Sequence, residues 1–172
     1  TTTNATGNYS FTGLTPGAYQ VGVVLPSGYL FSTNTNTADN ETGTATTGSD
    51  VNQTTGRSYV VTLSAGETEN DVDAGLVQTS TLGNRVFLDN NNNGVFDGGD
   101  ANYTGTTKVY LYKDADNSGT ITGLESTVPA DSTTTNATGN YSFTGLTPGA
   151  YQVGVVLPSG YLFSTNTNTA DN

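Results

Sequence analysis

The sequence contains no cysteine, methionine, tryptophan or histidine. Their absence excludes disulfides, thiol chemistry, imidazole acid–base catalysis and the usual zinc and haem ligands, so any metal must be held through oxygen. Cations are scarce as well: 4 Lys and Arg stand against 15 Asp and Glu, a formal net charge of -11. A surface that acidic repels phosphate backbones and anionic headgroups, so neither nucleic acid nor membrane insertion is expected. There is no apolar run of about 18 residues that would cross a bilayer as a helix. No charged-then-apolar leader opens the chain, which is expected to be a mature fragment or processed product whose anchor is out of view.

Self-similarity is what the sequence has in abundance. Residues 1–40 recur without a change at 133–172, a period of 132 residues. That is too long for one turn of a solenoid and suits one whole domain, so the unit is a bead in a tandem array with neighbouring identical repeats as its partners. The polar stretch Gln78 to Thr81 separates two apolar runs and is placed as the joint. Residues 1–79 are then the later part of one repeat, and 80–172 the earlier part of the next.

Helical apolar spacing is missing, whereas Thr, Val and Tyr dominate the candidate elements. Strands are expected at 84–88, 108–112, 141–143, 151–156, 161–164, 59–63 and 71–76, separated by Gly, Pro and Asn turns. About seven short strands per unit predict an all-β, antiparallel, immunoglobulin-like sandwich. Its core is expected to draw on Val61, Leu63, Val86, Leu88, Val109, Leu111, Phe143, Leu146, Tyr151, Val153, Val155 and Leu162.

Two segments carry chemistry. Counting Asp89 as position 1, oxygen-bearing side chains fall at 1, 3, 5, 9 and 12 (Asp89, Asn91, Asn93, Asp97, Asp100), with Gly94 at 6 and the Val95 carbonyl at 7. Asp114, Asp116, Ser118, Thr122 and Glu125 repeat the spacing, with Gly119 at 6 and Thr120 at 7. This is the pattern of a twelve-residue calcium loop, in which one tight turn wraps a hard cation with six to eight oxygens. The plainer reading is a pair of Asn/Asp/Gly turns that keep strand edges soluble. A looser cluster, Asp39, Asn40, Glu41 and Asp50 with Glu69, Asp71 and Asp73, fits no loop template and is either a weaker metal site or surface charge.

No enzyme is expected: serines lack a histidine, and no phosphate-cradling loop is followed by lysine. Tyr9, Tyr19, Tyr29 and their copies at 141, 151 and 161 fit packing better than a sugar platform. The Asn-x-Ser/Thr sequons suit a chain rich in both residues and carry no separate argument.

The order GNRVFLDNNNNGVFDGGD, KVYLYKDADNSGTITGLE, TTTNATGNYSFTGLTPGAYQV and PSGY closely resembles the B-type repeat domain of serine-aspartate-repeat bacterial surface adhesins, within the collagen-adhesin B-type, transthyretin-like sandwich group. The resemblance implies an extracellular location, a calcium-braced sandwich in tandem array, and a ligand-binding head elsewhere. It also implies that the two twelve-residue loops are the calcium sites. Many collagen-adhesin-type domains carry a Lys–Asn isopeptide bond assisted by an acid on the strand after the P-G-x-Y turn. Here that strand, Tyr151 to Val156, is apolar where the family's acid would sit, which implies that the bond is missing and that calcium is the staple instead. The Thr/Asn/Gly-rich stretch from Ser32 to Gly56 lengthens the unit beyond the family pattern.

Three functions remain open on the sequence: a stiff structural stalk or fibre, a filament subunit completed by strand addition between beads, and a ligand-binding adhesin module. Repetition without change favours the first two, since a binding face rarely needs many identical copies except for avidity.

Overall fold

A computed structural model describes residues 1–35 and 48–165. The Asp39, Asn40 and Glu41 part of the acidic cluster lies outside the described residues. The chain divides into two compact units, Thr1–Gln78 and Thr79–Asn172. Both are all-β: eleven short strands pair antiparallel, and no helix occurs among the described residues.

The first unit contains β1 (Gly17–Gly22), β2 (Tyr29–Phe31), β3 (Arg57–Leu63) and β4 (Leu76–Gln78). β1 pairs with β3 and β2 with β4. In β1 the odd residues turn inward, as period-two alternation requires, and Tyr19 lies opposite the buried Val61. Phe31, Val51, Val61 and Val72 are its buried apolar residues. Ser58 sits at a register shift, where its hydroxyl accepts the Val21 amide that the ladder would otherwise leave unpaired.

The second unit contains β5 (Ser80–Arg85), β6 (Phe87–Leu88), β7 (Ala101–Asn102), β8 (Lys108–Lys113), β9 (Asp131–Thr134), β10 (Asn140–Leu146) and β11 (Tyr151–Val155). A three-stranded sheet, β11-β8-β9, faces the pair β10-β5, and β6-β7 forms a short ribbon. Val109, Leu111 and Phe143 are fully buried between the two layers, with Leu82, Tyr141, Leu146, Tyr151, Val153 and Val155 packed around them. This is sandwich packing, with inward residues of both sheets sharing one core.

Three expectations need correcting. Tyr161–Ser164 is not a strand, and Leu162 is 91% exposed rather than core. The first copy of that strand, β2, forms because it has Leu76–Gln78 to pair with; no counterpart of that segment follows Tyr161 within these residues. Residues 71–75 are irregular, the strand beginning only at Leu76, so Asp71 is buried while Asp73 is exposed, and they do not share a face.

Candidate metal centre

The two twelve-residue segments are loops that strands hold shut. Asp89 to Asp100 closes the ribbon between β6 and β7, where Leu88 lies opposite Ala101. Asp114 to Glu125 follows β8, which is paired on both sides, by β9 and β11, as far as Leu111 and by β11 to its end at Lys113.

The loops adopt the same internal hydrogen bonding although few of their residues match. The position 1 carboxylate accepts the amides of positions 5 and 6: Asn93 at 3.2 Å and Gly94 at 2.8 Å on Asp89, Ser118 at 3.1 Å and Gly119 at 2.7 Å on Asp114. The side-chain oxygen of position 3 accepts the position 5 amide, at 3.1 Å on Asn91 and 2.9 Å on Asp116. Position 5 accepts from position 7, Val95 on Asn93 and Thr120 on Ser118. The position 12 carboxylate reaches back to the position 2 amide, Asn90 on Asp100 at 2.9 Å and Ala115 on Glu125 at 2.6 Å.

Such curling needs left-handed backbone. Position 4 is Asn in both loops, with φ of 54° at Asn92 and 57° at Asn117, and position 6 is Gly, with φ of 76° and 81°. Asn and Gly are the residues that tolerate this region. In the second loop the result brings carboxylate oxygens of positions 1, 3 and 12 together.

The second loop gathers its charge more tightly. One carboxylate oxygen each from Asp114, Asp116 and Glu125 lies within 4.8 Å of the others. Asp114 is only 2% exposed. Burial of a carboxylate is costly unless hydrogen bonds, a cation or a metal offset it; Asp114 has the Ser118 and Gly119 amides, and the chain's four cations are engaged elsewhere. Arg85 lies over the Phe96 ring and Lys108 over Tyr110, Lys113 donates to Thr147, and Arg57 donates to Gln20. An all-oxygen donor set of three carboxylates, with the Ser118 and Thr122 side chains and the Thr120 carbonyl in the same turn, fits a hard divalent cation such as calcium.

In the first loop Asp89, Asp97 and Asp100 form no such carboxylate group among the described residues, and Asn91 and Asn93 bind Asp97 instead. Their side-chain amides donate to Asp97 Oδ2 at 3.3 Å and 2.9 Å. Hydrogen bonds favour the ionised forms of Asp89 and Asp97. At Asp89 partial desolvation pulls the pKa up, but the Gly94, Asn93 and Asn92 amides and the Ser164 hydroxyl outweigh it and bring it below the usual range. The Gly99 amide, then the Asn93 and Asn91 side chains, lower Asp97. The Ser118 hydroxyl and amide do the same for Asp116.

The looser acidic cluster takes a different form. Asp50 is fully buried and its Oδ2 accepts the Asp73 amide at 2.5 Å, while its own amide donates to the Asp73 carbonyl. Asp71 is buried and its amide donates to Glu69. Burial and then the nearby Asp73, Asp50 and Glu69 charges raise the pKa of Tyr9, whose hydroxyl donates to the Val72 carbonyl. Sequence reading missed this backbone-pairing role of Asp50; the signal was a lone acid beside Val51 in an otherwise polar stretch.

Comparison with known proteins agrees with this architecture. The model for the SdrD B-like domain matches residues 1–76 and 80–172. The chain is 35% identical over 162 residues to serine-aspartate repeat-containing protein F of Staphylococcus epidermidis, covering 94% of this chain and 8% of that protein. It is 32% identical over 176 residues to serine-aspartate repeat-containing protein D of Staphylococcus aureus strain Newman, covering 99% of this chain and 11% of that protein. The chain thus spans about a tenth or less of these relatives. No solved structure matches.

Proposed function

The chain belongs to the SdrD B-like domain family, and on that premise we propose that it is a calcium-stabilised structural repeat that gives length and stiffness to a stalk or fibre on an extracellular bacterial surface protein. Residues 1–79 are the later part of one 132-residue bead and 80–172 the earlier part of the next, and the neighbours of each bead are further copies of it. No catalytic role is assigned.

The observation that supports the calcium reading is the hydrogen-bond pattern that the two loops share despite unlike sequences, together with the convergence of Asp114, Asp116 and Glu125 in the second. Asp89, Asn91, Asn93, Asp97 and Asp100 with the Val95 carbonyl would hold one ion. Asp114, Asp116, Ser118, Thr122 and Glu125 with the Thr120 carbonyl would hold the other. A bound ion offsets the mutual repulsion of six carboxylates and fixes the ends of β6, β7 and β8, which the loops join.

Calorimetric titration of the chain with calcium tests this: two sites are expected, and a melting temperature that rises with calcium. Asp114→Ala should abolish the second site and leave the first. Fewer than two sites in the unaltered chain, or a melting temperature indifferent to chelator, overturns the calcium reading.

A further inference from the structure

The chain has one Asn-Gly step, Asn93-Gly94, and it lies in the middle of the first loop. There the Asn93 side chain folds forward. Its Oδ1 accepts the Val95 amide at 2.7 Å, closing a ring that contains both Asn93 Cγ and the Gly94 nitrogen. The Gly94 amide in turn donates to Asp89 Oδ2 at 2.8 Å, and the Asn93 side-chain amide donates to Asp97 Oδ2 at 2.9 Å.

These are the parts of an acyl transfer. A nucleophile needs a neighbouring base, and the Gly94 nitrogen has the Asp89 carboxylate, whose ionised form its hydrogen bonds favour. The carbonyl under attack needs a donor where negative charge develops, and Asn93 Oδ1 has the Val95 N–H. Nucleophile and carbonyl sit on adjacent residues, so the step is intramolecular. Asn93 is exposed, which admits the water that completes the reaction.

We propose that Asn93 is a self-modification site, at which the calcium-free loop converts its own side-chain amide into a carboxylate. The Gly94 nitrogen bonds to Asn93 Cγ, forming a cyclic imide, and the bond from Cγ to Nδ2 breaks. The proton lost by the Gly94 amide passes through Asp89 Oδ2 and water to the departing nitrogen, which leaves as ammonia. Water then opens the imide. Cleavage at Cγ leaves an aspartyl residue in an ordinary chain, and cleavage at the main-chain carbonyl leaves an isoaspartyl link through the side chain. The sum is amide plus water giving acid plus ammonia, with nothing oxidised or reduced.

The surroundings explain why this asparagine is singled out. Among the described residues Asn4, Asn52, Asn91 and Asn136 make the same turn, accepting the amides of Thr6, Thr54, Asn93 and Thr138. Each is followed by a residue with a side chain, Ala5, Gln53, Asn92 or Ala137, which crowds the approach that glycine leaves open. Asp97-Gly98 has both the turn and the glycine, its Oδ1 accepting the Gly99 amide, but an ionised carboxylate resists a nucleophile. On the calcium reading, the aspartyl product sets a further carboxylate at position 5 beside Asp89, Asp97 and Asp100, and charge count raises the affinity of such a loop. The modification itself does not depend on that reading.

The test starts from freshly prepared full chain, incubated at neutral pH in chelator below its melting temperature and followed by peptide mass mapping. The peptide spanning Asn93 should gain the mass that separates acid from amide before any other asparagine does, and should resolve into aspartyl and isoaspartyl forms. Because the folded loop supplies base and donor, conversion should be several-fold faster than in the same chain unfolded in urea at the same pH. Asp89→Asn, whose side-chain oxygen can still accept the Gly94 amide, should slow it, and Asn93→Gln should abolish it. Conversion led by another asparagine, an aspartyl product alone, a folded rate no higher than that in urea, or an Asp89→Asn rate equal to the parent's overturns the proposal.

Discussion

The Gly119 amide donates to Asp114 Oδ2 over 2.7 Å, from a residue whose φ is 81°. The bond that orients the buried carboxylate therefore depends on a conformation that a side chain disfavours. A Cβ at Gly119 would meet nothing within 4 Å, so the cost of Gly119→Ala is conformational, about 1–2 kcal/mol. For a unit of this size each kcal/mol lowers the melting temperature by roughly 4–8 °C. Gly98→Ala, in the other loop, meets open space without a left-handed φ and should stay within about 0.5 kcal/mol of the parent. Thermal melts in chelator compare the two, and equal shifts would contradict this account.

How much of this was legible beforehand depends on range. The loops are local objects: Asn at position 4, Gly at 6 and acids at 1 and 12 specify their own turn, and spacing alone located Asp89–Asp100 and Asp114–Glu125. β8 and β11 were legible because Val109, Leu111, Val153 and Val155 alternate. β9, Asp131–Thr134, shows no apolar alternation and is a strand because β8 offers it an edge. Tyr161–Ser164 has better strand residues and is not one, and among the described residues no strand pairs with it. Nor could the sequence show that all four cations would sit on aromatic or uncharged partners, away from Asp114.

Acid should act late. The depressed pKa values of Asp89, Asp97 and Asp116 mean that their ionised forms are favoured by folding. Their contribution is fully present above the unfolded value of about 3.9 and is lost as pH falls through the lower folded values. Melting temperature in chelator should therefore be flat between about pH 5 and 8 as far as these groups act, and fall below about pH 4. Asp89→Asn should make that acid limb shallower. A fall in stability already complete at pH 5 would rule these carboxylates out as its source.

No isopeptide bond is expected. Of the two lysines, Lys113 donates to the Thr147 hydroxyl at 2.8 Å and Lys108 lies over the Tyr110 ring. Intact mass should equal the sequence mass, and a deficit of one ammonia would refute this.

Removal of calcium should open the two loops in a set order. Both lose the ion that offsets carboxylate repulsion, but the first keeps an apolar anchor. The Phe96 ring packs edge-on against Phe87 with centroids 5.3 Å apart, and the Arg85 guanidinium lies 4.3 Å from the same ring. In the second loop Leu124 is exposed, and the carboxylates of Asp114, Asp116 and Glu125 converge within 4.8 Å. Repulsion is greatest where anchoring is least, so in chelator the second loop should reach the open, cleavable state first. A protease that cuts beside apolar residues should then cut at Ile121 or Leu124 before Val95 or Phe96, with mass spectrometry of the early fragments as the readout; calcium should suppress both cuts. Arg85→Ala removes half of the first loop's anchor and should bring its cleavage forward toward that of the second. If early fragments instead end at Val95 or Phe96 in the unaltered chain, the aromatic anchor does not hold the first loop and charge convergence does not decide the order.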